Sequence, residues 1–319
     1  MRIDRSTSPL WLVWTARAVL VVLIAVVAVV LAKNGAAWLD QIRSFRWDVR
    51  WPLLVLAASM TTAAYAATPT GWVWLCRAAG SATPTSGLRA AWFVSQLGRY
   101  MPGKVWLFAG RTGYLRAQGM SMLRAGALPF LELAYTAAGA GVAAAVPTIV
   151  SGDFAFGGGA LRGTVIAAGA CMVAVPLLSP MLRLLYRLRV HGDPSGLPLP
   201  TTPGMLRTVA LFAGLWMIRG TALYLWLTGF GLETAGLGAC VAAAPLSWLA
   251  GYIAFMVPGG IGVREAAVVA LAAPSGQTGP ALAIVAGERI VLGILELGLA
   301  ALSAGRSGRL RGHGRKEDA

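Results

Sequence analysis

Charged residues and glycines embedded in apolar sequence are the places where this chain has chemistry to offer. The run Gln96-Leu-Gly-Arg-Tyr-Met-Pro-Gly-Lys-Val-Trp106 sets Arg99 and Lys104 on either side of Pro102-Gly103, a dipeptide that stops a helix and reverses the chain. Two cations flanking one turn can address a single anionic group. The plainer role is that of interface cations, with Tyr100 and Trp106 as anchoring aromatics. A second run, Phe255-Met-Val-Pro-Gly-Gly-Ile-Gly-Val-Arg-Glu265, breaks one helix and starts another. The amides of Gly259, Gly260 and Gly262 would stand at a positive helix end, an arrangement that accepts phosphate or carboxylate. Arg264 adds a full charge there, while Glu265 suits the helix dipole or pairs with a cation elsewhere. The glycine spacing is not that of a dinucleotide-binding turn. The plainer role is a glycine-packed kink, but a kink needs no Arg-Glu pair.

Five further charges interrupt long apolar stretches: Glu132, Arg219, Glu288, Arg289 and Glu296. Arg289 and Glu296 are seven residues apart, on one helix face but two turns distant, so their partners are expected on other helices. Structural ion pairs are the simple reading for each residue; together, acids and bases facing one interior outline a polar path. Cys76, Cys171 and Cys240 lie in or beside apolar segments without metal-type spacing and read as packing residues. His191 and His313 have no neighbour that would make a dyad. No catalytic residue, metal or cofactor is expected.

The elements that must carry these residues follow from composition. Of 319 residues, 57% are hydrophobic and 12% charged, about half the roughly 25% charge of an ordinary soluble domain. The charges are gathered into short stretches. The segments 51–76, 163–182, 234–263 and 266–287 contain no Asp, Glu, Lys or Arg, and about 18 such residues suffice for a membrane-crossing helix. This excludes a soluble domain and predicts an all-α, polytopic membrane helix bundle. The net charge of +15 fits cytoplasmic loops and anionic lipid surfaces rather than nucleic acid. Only three of the 27 basic residues are lysines, a bias that suits bidentate phosphate contacts and equally GC-rich codon usage.

Spans are expected at 11–32, 52–76, 122–150, 160–182, 208–232, 234–257 and 279–304, the first uncleaved. The stretch 90–124 reads as a re-entrant or interfacial hairpin around Pro102-Gly103, and 263–273 as a helix short for a crossing. The polar segments 33–50 and 183–207 read as connections. Residues 1–304 form one transmembrane domain, followed by a basic cytoplasmic tail at 305–319 without regular structure. The distribution of Arg puts both termini, 77–124 and 183–207 in the cytoplasm. The turns at 151–159 and 274–279 are placed outside, as is 33–50 despite its four basic residues. The two broken segments would then enter from opposite leaflets, as in inverted-repeat transporters.

Gly98-Arg-Tyr-Met-Pro-Gly-Lys-Val-Trp106 and Pro258-Gly-Gly-Ile-Gly-Val-Arg-Glu265 resemble the paired motifs of the lysylphosphatidylglycerol synthase transmembrane, or flippase-domain, family, and the order of spans is similar over nearly the whole chain. The resemblance implies a bacterial cytoplasmic-membrane protein that moves lipids between leaflets. The soluble domain that makes aminoacyl-lipids in two-domain members has no counterpart before Ala319, so synthesis is not expected. Arg99, Lys104 and Arg264 would hold a lipid phosphate, assisted by the glycine amides. Glu132, Glu265, Glu288 and Glu296 would pair with Arg219 and Arg289 or take a cationic headgroup. The implied partners are membrane lipids with anionic headgroups, with a separate lipid-modifying synthase and a homo-oligomer as further candidates. Two alternatives stay open: an intramembrane glycosyl- or lipid-transferase using Asp40, Asp48 or Asp153 as base or metal ligand, and a non-transporting partner of a separate synthase.

Overall fold

A computed structural model describes residue 29 and residues 32–101, 104–150, 200–254, 257–274 and 276–317, the last twelve as backbone. The spans expected at 11–32 and 160–182, the turn at 151–159 with Asp153, most of the 183–207 connection and Pro102-Gly103 lie outside these residues. Within them every regular element is a helix, and there is no strand. The helices are α1 (32–44), α2 (Trp51–Ala67), α3 (Pro69–Ala78), α4 (Thr85–Gln96), α5 (Val105–Ala117), α6 (Met122–Val150), α7 (Thr202–Gly229), α8 (Leu237–Ile253), α9 (Val263–Ala272) and α10 (Thr278–Glu317).

Three units are long and apolar enough to cross a membrane: the nearly continuous α2–α3 pair (28 residues), α6 (29 residues) and α7 (28 residues). At ~1.5 Å per residue each exceeds the ~30 Å hydrocarbon thickness. Pro69 follows Thr68 at the α2–α3 joint; Thr68 keeps helical geometry, and its hydroxyl donates to the Ala64 carbonyl (2.8 Å). α7 begins six residues before the expected 208. Proline is tolerated in a first turn, where its missing N–H would have no partner, and the Thr201 hydroxyl caps the Gly204 amide at 3.4 Å.

Two expectations are corrected. The polar segment 33–50 is helical over 32–44. It docks on the start of α10, where Gln41 Oε1 accepts the otherwise unpaired Gly279 amide at 2.8 Å. The tail from 305 is not a separate irregular segment, because the α10 backbone stays helical to Glu317. Arginine is a good helix former and its charge is favourable at a helix C-terminus.

The packing is inside out relative to a soluble protein. Val55, Ile149, Val150, Ile253, Ile290, Ile294 and Leu297 are exposed, while Lys104, Arg111, Glu132, Glu265 and Glu296 are buried. α10 shows the arrangement on one helix: Ile290, Ile294 and Leu297 face outward, and Leu292, Glu296 and Ala300 face the bundle. α7 is central, packing on α2, α6 and α8, and the α4–α5 pair joins α6 to α10. One apolar cluster gathers Trp72, Trp92, Leu128 and Phe212; another gathers Leu54, Leu223, Trp226 and Ile284.

Close helix approach depends on small residues. A β-carbon at Gly139 of α6 would sit 2.7 Å from the Ala213 amide of α7, and one at Gly220 of α7 would run into the Val241 backbone of α8. Gly220→Ala is therefore expected to cost about 1–3 kcal/mol through helix displacement. Gly214→Ala, with open space around it, should leave stability unchanged. Thermal unfolding of both variants in detergent, followed by tryptophan fluorescence, measures the difference.

Candidate functional site

The first broken segment continues α4 as a 3₁₀ turn, Leu97–Tyr100, and restarts as α5 at Val105. From the turn, Arg99 forms an ion pair with Glu296 of α10, and the Tyr100 hydroxyl donates to the other Glu296 oxygen at 2.7 Å. Tyr100 is thus a buttress of the ion pair rather than a belt aromatic. Lys104 precedes α5 in the left-handed region (φ 52°), an unfavourable conformation for a residue with a β-carbon. What holds it is its ammonium, which donates to the Gly251 carbonyl (2.6 Å) and lies 4.7 Å from the centre of the Tyr252 ring. Gly251 is in the last turn of α8, where carbonyls lack helical partners and the dipole favours a cation.

The second broken segment leaves α8 at Ile253, makes a 3₁₀ turn at Pro258–Gly260, and restarts as α9 at Val263. Gly260 has φ +67°, and a β-carbon there would lie 2.8 Å from the Gly251 Cα. The two turns pack on each other, with the Tyr100 ring against Gly259. α10 fastens this break as well: Arg289 pairs with Glu265 and donates to the Gly259 carbonyl at 2.7 Å. The partners of Arg289 and Glu296 therefore lie on other helices, as their spacing implies.

Between the breaks lies a cavity of ≈ 100 Å³. Its walls include five cations, Arg99, Lys104, Arg111, Arg219 and Arg264, and one acid, Glu132, set among Tyr65, Trp92, Trp216, Trp248 and Tyr252. Arg111 and Glu132 form a buried ion pair. Trp92 Nε1 donates to Glu132 Oε1 (2.5 Å), and Arg111 Nε donates to the Ser95 hydroxyl (2.8 Å). The Arg111 guanidinium also lies 5.2 and 5.3 Å from the ring centres of Trp72 and Trp92. Pro129, one turn before Glu132, has no N–H for the Ala125 carbonyl, and the Thr112 hydroxyl donates to that carbonyl at 3.4 Å.

Two of the five cations are thus neutralised at contact. Among the described residues no carboxylate lies within 4 Å of Lys104, Arg219 or Arg264. Arg219 lies over the Trp216 ring at 4.9 Å, and the buried Nε of Arg264 has no hydrogen-bond partner among the described residues. Half-buried Glu288 acts on Arg219 and Arg264 at longer range. Such an excess of positive charge in a confined space is electrostatically complementary to an anion.

Of the residues singled out in the sequence, Arg99, Lys104, Glu132, Arg219, Gly259 and Arg264 meet at the cavity. Glu265, Arg289 and Glu296 stand behind it as supporting ion pairs. The idea of three glycine amides cradling an anion is revised, because two of them have other acceptors. The Gly260 amide donates to the Val257 carbonyl (3.0 Å), and the Gly262 amide donates to Glu265 Oε2 (2.6 Å). Glu265 is consequently a helix cap and ion-pair partner rather than a ligand contact. Arg111 belongs to no sequence motif; it lies one turn beyond Leu107 on the same face of α5, and both line the cavity. Asp40 and Asp48 are exposed beside Arg43 and Arg50, away from the cavity.

No family model matches this chain, and no curated protein matches it.

Removing one partner of a buried ion pair strands the other charge. Glu132→Ala is therefore expected to lose about 3–5 kcal/mol, with much of it restored in the double variant Arg111→Met/Glu132→Leu. Thermal unfolding of the single and double variants reads this coupling directly. Equal loss in both would show that shape rather than charge governs the site.

Proposed function

We propose that this chain is a multi-pass protein of a bacterial cytoplasmic membrane, with both termini cytoplasmic, that moves a phospholipid or polyprenyl-phosphate-linked lipid between leaflets. The observation that carries this reading is the cavity between the two broken helices, where Lys104, Arg219 and Arg264 stand without a contacting carboxylate among the described residues, inside an apolar-surfaced bundle. A lipid crossing a bilayer must take its charged headgroup through hydrocarbon, and an enclosed path lined with opposite charge lowers that barrier. The exposed apolar faces of α6 and α10 leave the acyl chains in lipid while the headgroup follows the interior. In this reading the segments around Pro102-Gly103 and Pro258-Gly260 are re-entrant, approaching from opposite leaflets in the manner of an inverted repeat. The motif resemblance to the flippase-domain family points the same way.

The test is translocation of a fluorescent anionic phospholipid in liposomes containing the purified protein. Arg264→Ala, matched for incorporated protein, should slow translocation about tenfold or more, the effect of losing one good charge contact. An unchanged rate would remove Arg264 and the cavity from the transport path.

A further inference from the structure

Resting on that reading, we infer that the cavity selects headgroups of net negative charge and rejects those carrying an ammonium. An ammonium entering the site needs a carboxylate or an open aromatic face. Of the carboxylates near the cavity, three are already committed on both oxygens, and the fourth, half-buried Glu288, lies outside the cavity wall and faces the protein's own Arg219 and Arg264. Glu132 receives Trp92 on one and Arg111 on the other. Glu296 is held by Arg99 and Tyr100, and Glu265 by Arg289 and the Gly262 amide.

Four of the five aromatic side chains named at the cavity are committed to other groups, and the fifth, Tyr65, packs edge-on against Trp92 at 5.6 Å. Lys104 occupies Tyr252, Arg219 occupies Trp216, and Arg111 lies over Trp92. Trp248 is packed between the Trp216 and Tyr252 rings at 5.2 and 4.8 Å. The protein's own cations thus consume the groups that would welcome a foreign one. What they leave over is positive: Arg264 with a free buried Nε, and Lys104, whose contacts are backbone carbonyls and a ring. A phosphodiester or phosphomonoester without an amine satisfies these donors, whereas an aminoacylated or ethanolamine headgroup brings a further positive charge against a wall that already holds five cations and one acid.

Titration of the detergent-solubilised protein, read by tryptophan fluorescence, tests this with three probes: dioctanoyl phosphatidylglycerol, dioctanoyl phosphatidylethanolamine and inorganic phosphate. Phosphatidylglycerol should bind about tenfold tighter than phosphatidylethanolamine, a gap of about 1.4 kcal/mol. The gap should close in Arg264→Gln and in Lys104→Gln, return in Arg264→Lys, and persist in Arg207→Gln, a change on the exposed face of α7. Equal affinity for the two lipids, or no phosphatidylglycerol binding, overturns the inference even where liposomes show translocation. Selective binding without translocation upholds it and overturns the transport reading. Inorganic phosphate binding as tightly as phosphatidylglycerol upholds the anion preference and identifies a free phosphate, not a lipid, as its source.

Discussion

A full charge carried into an apolar interior has to be met there by an opposite charge or by oriented dipoles, since water does not follow it. That requirement organises this molecule. Arg99 is met by Glu296, Arg111 by Glu132 and Arg289 by Glu265. Lys104 is met by the carbonyl end of α8. Arg99–Glu296 and Lys104–Gly251 join segments remote in sequence, while Arg111–Glu132 and Arg289–Glu265 join consecutive helices, so these contacts specify which elements are neighbours as well as neutralising charge. Among the described residues, Lys104, Arg219 and Arg264, cations without a carboxylate in contact, fall together at one cavity.

α10 is the strap in this arrangement. Glu296 latches the first break and Arg289, two turns earlier, latches the second. The breaks are interrupted helices with backbone groups that no regular ladder satisfies, and Arg289 supplies a partner for one of them, the Gly259 carbonyl. Because both latches sit on one face of one helix, a displacement of α10 acts on both turns at once.

The membrane character and most helices were legible in the sequence because hydropathy runs and charge gaps are local signals. Both broken segments were legible too, since Pro-Gly and Gly-Gly punctuate apolar sequence. The convergence of Arg99, Lys104 and Arg264 followed from assuming that intramembrane charges seek one another. What the sequence concealed depends on which side chains the folded backbone brings into contact. Arg111 belongs to no sequence motif, and its role emerges only where α6 brings Glu132 beside it. The Gly262 amide looked available until the side chain three residues later capped it. The 32–44 helix looked like a polar connection because its stabilising contact, Gln41 with Gly279, spans more than 200 residues. The α10 continuation was hidden by glycines and arginines that read as a tail, although a helix already propagating extends through such residues at modest cost.

The most direct test is an electron cryo-microscopy map of the protein in phosphatidylglycerol nanodiscs. It should show the two breaks in contact, with Arg99 on Glu296, Lys104 on the Gly251 carbonyl and headgroup density between Lys104, Arg219 and Arg264. Arg99 and Arg264 turned to separate lipid-water surfaces, with no shared cavity between them, would contradict the account.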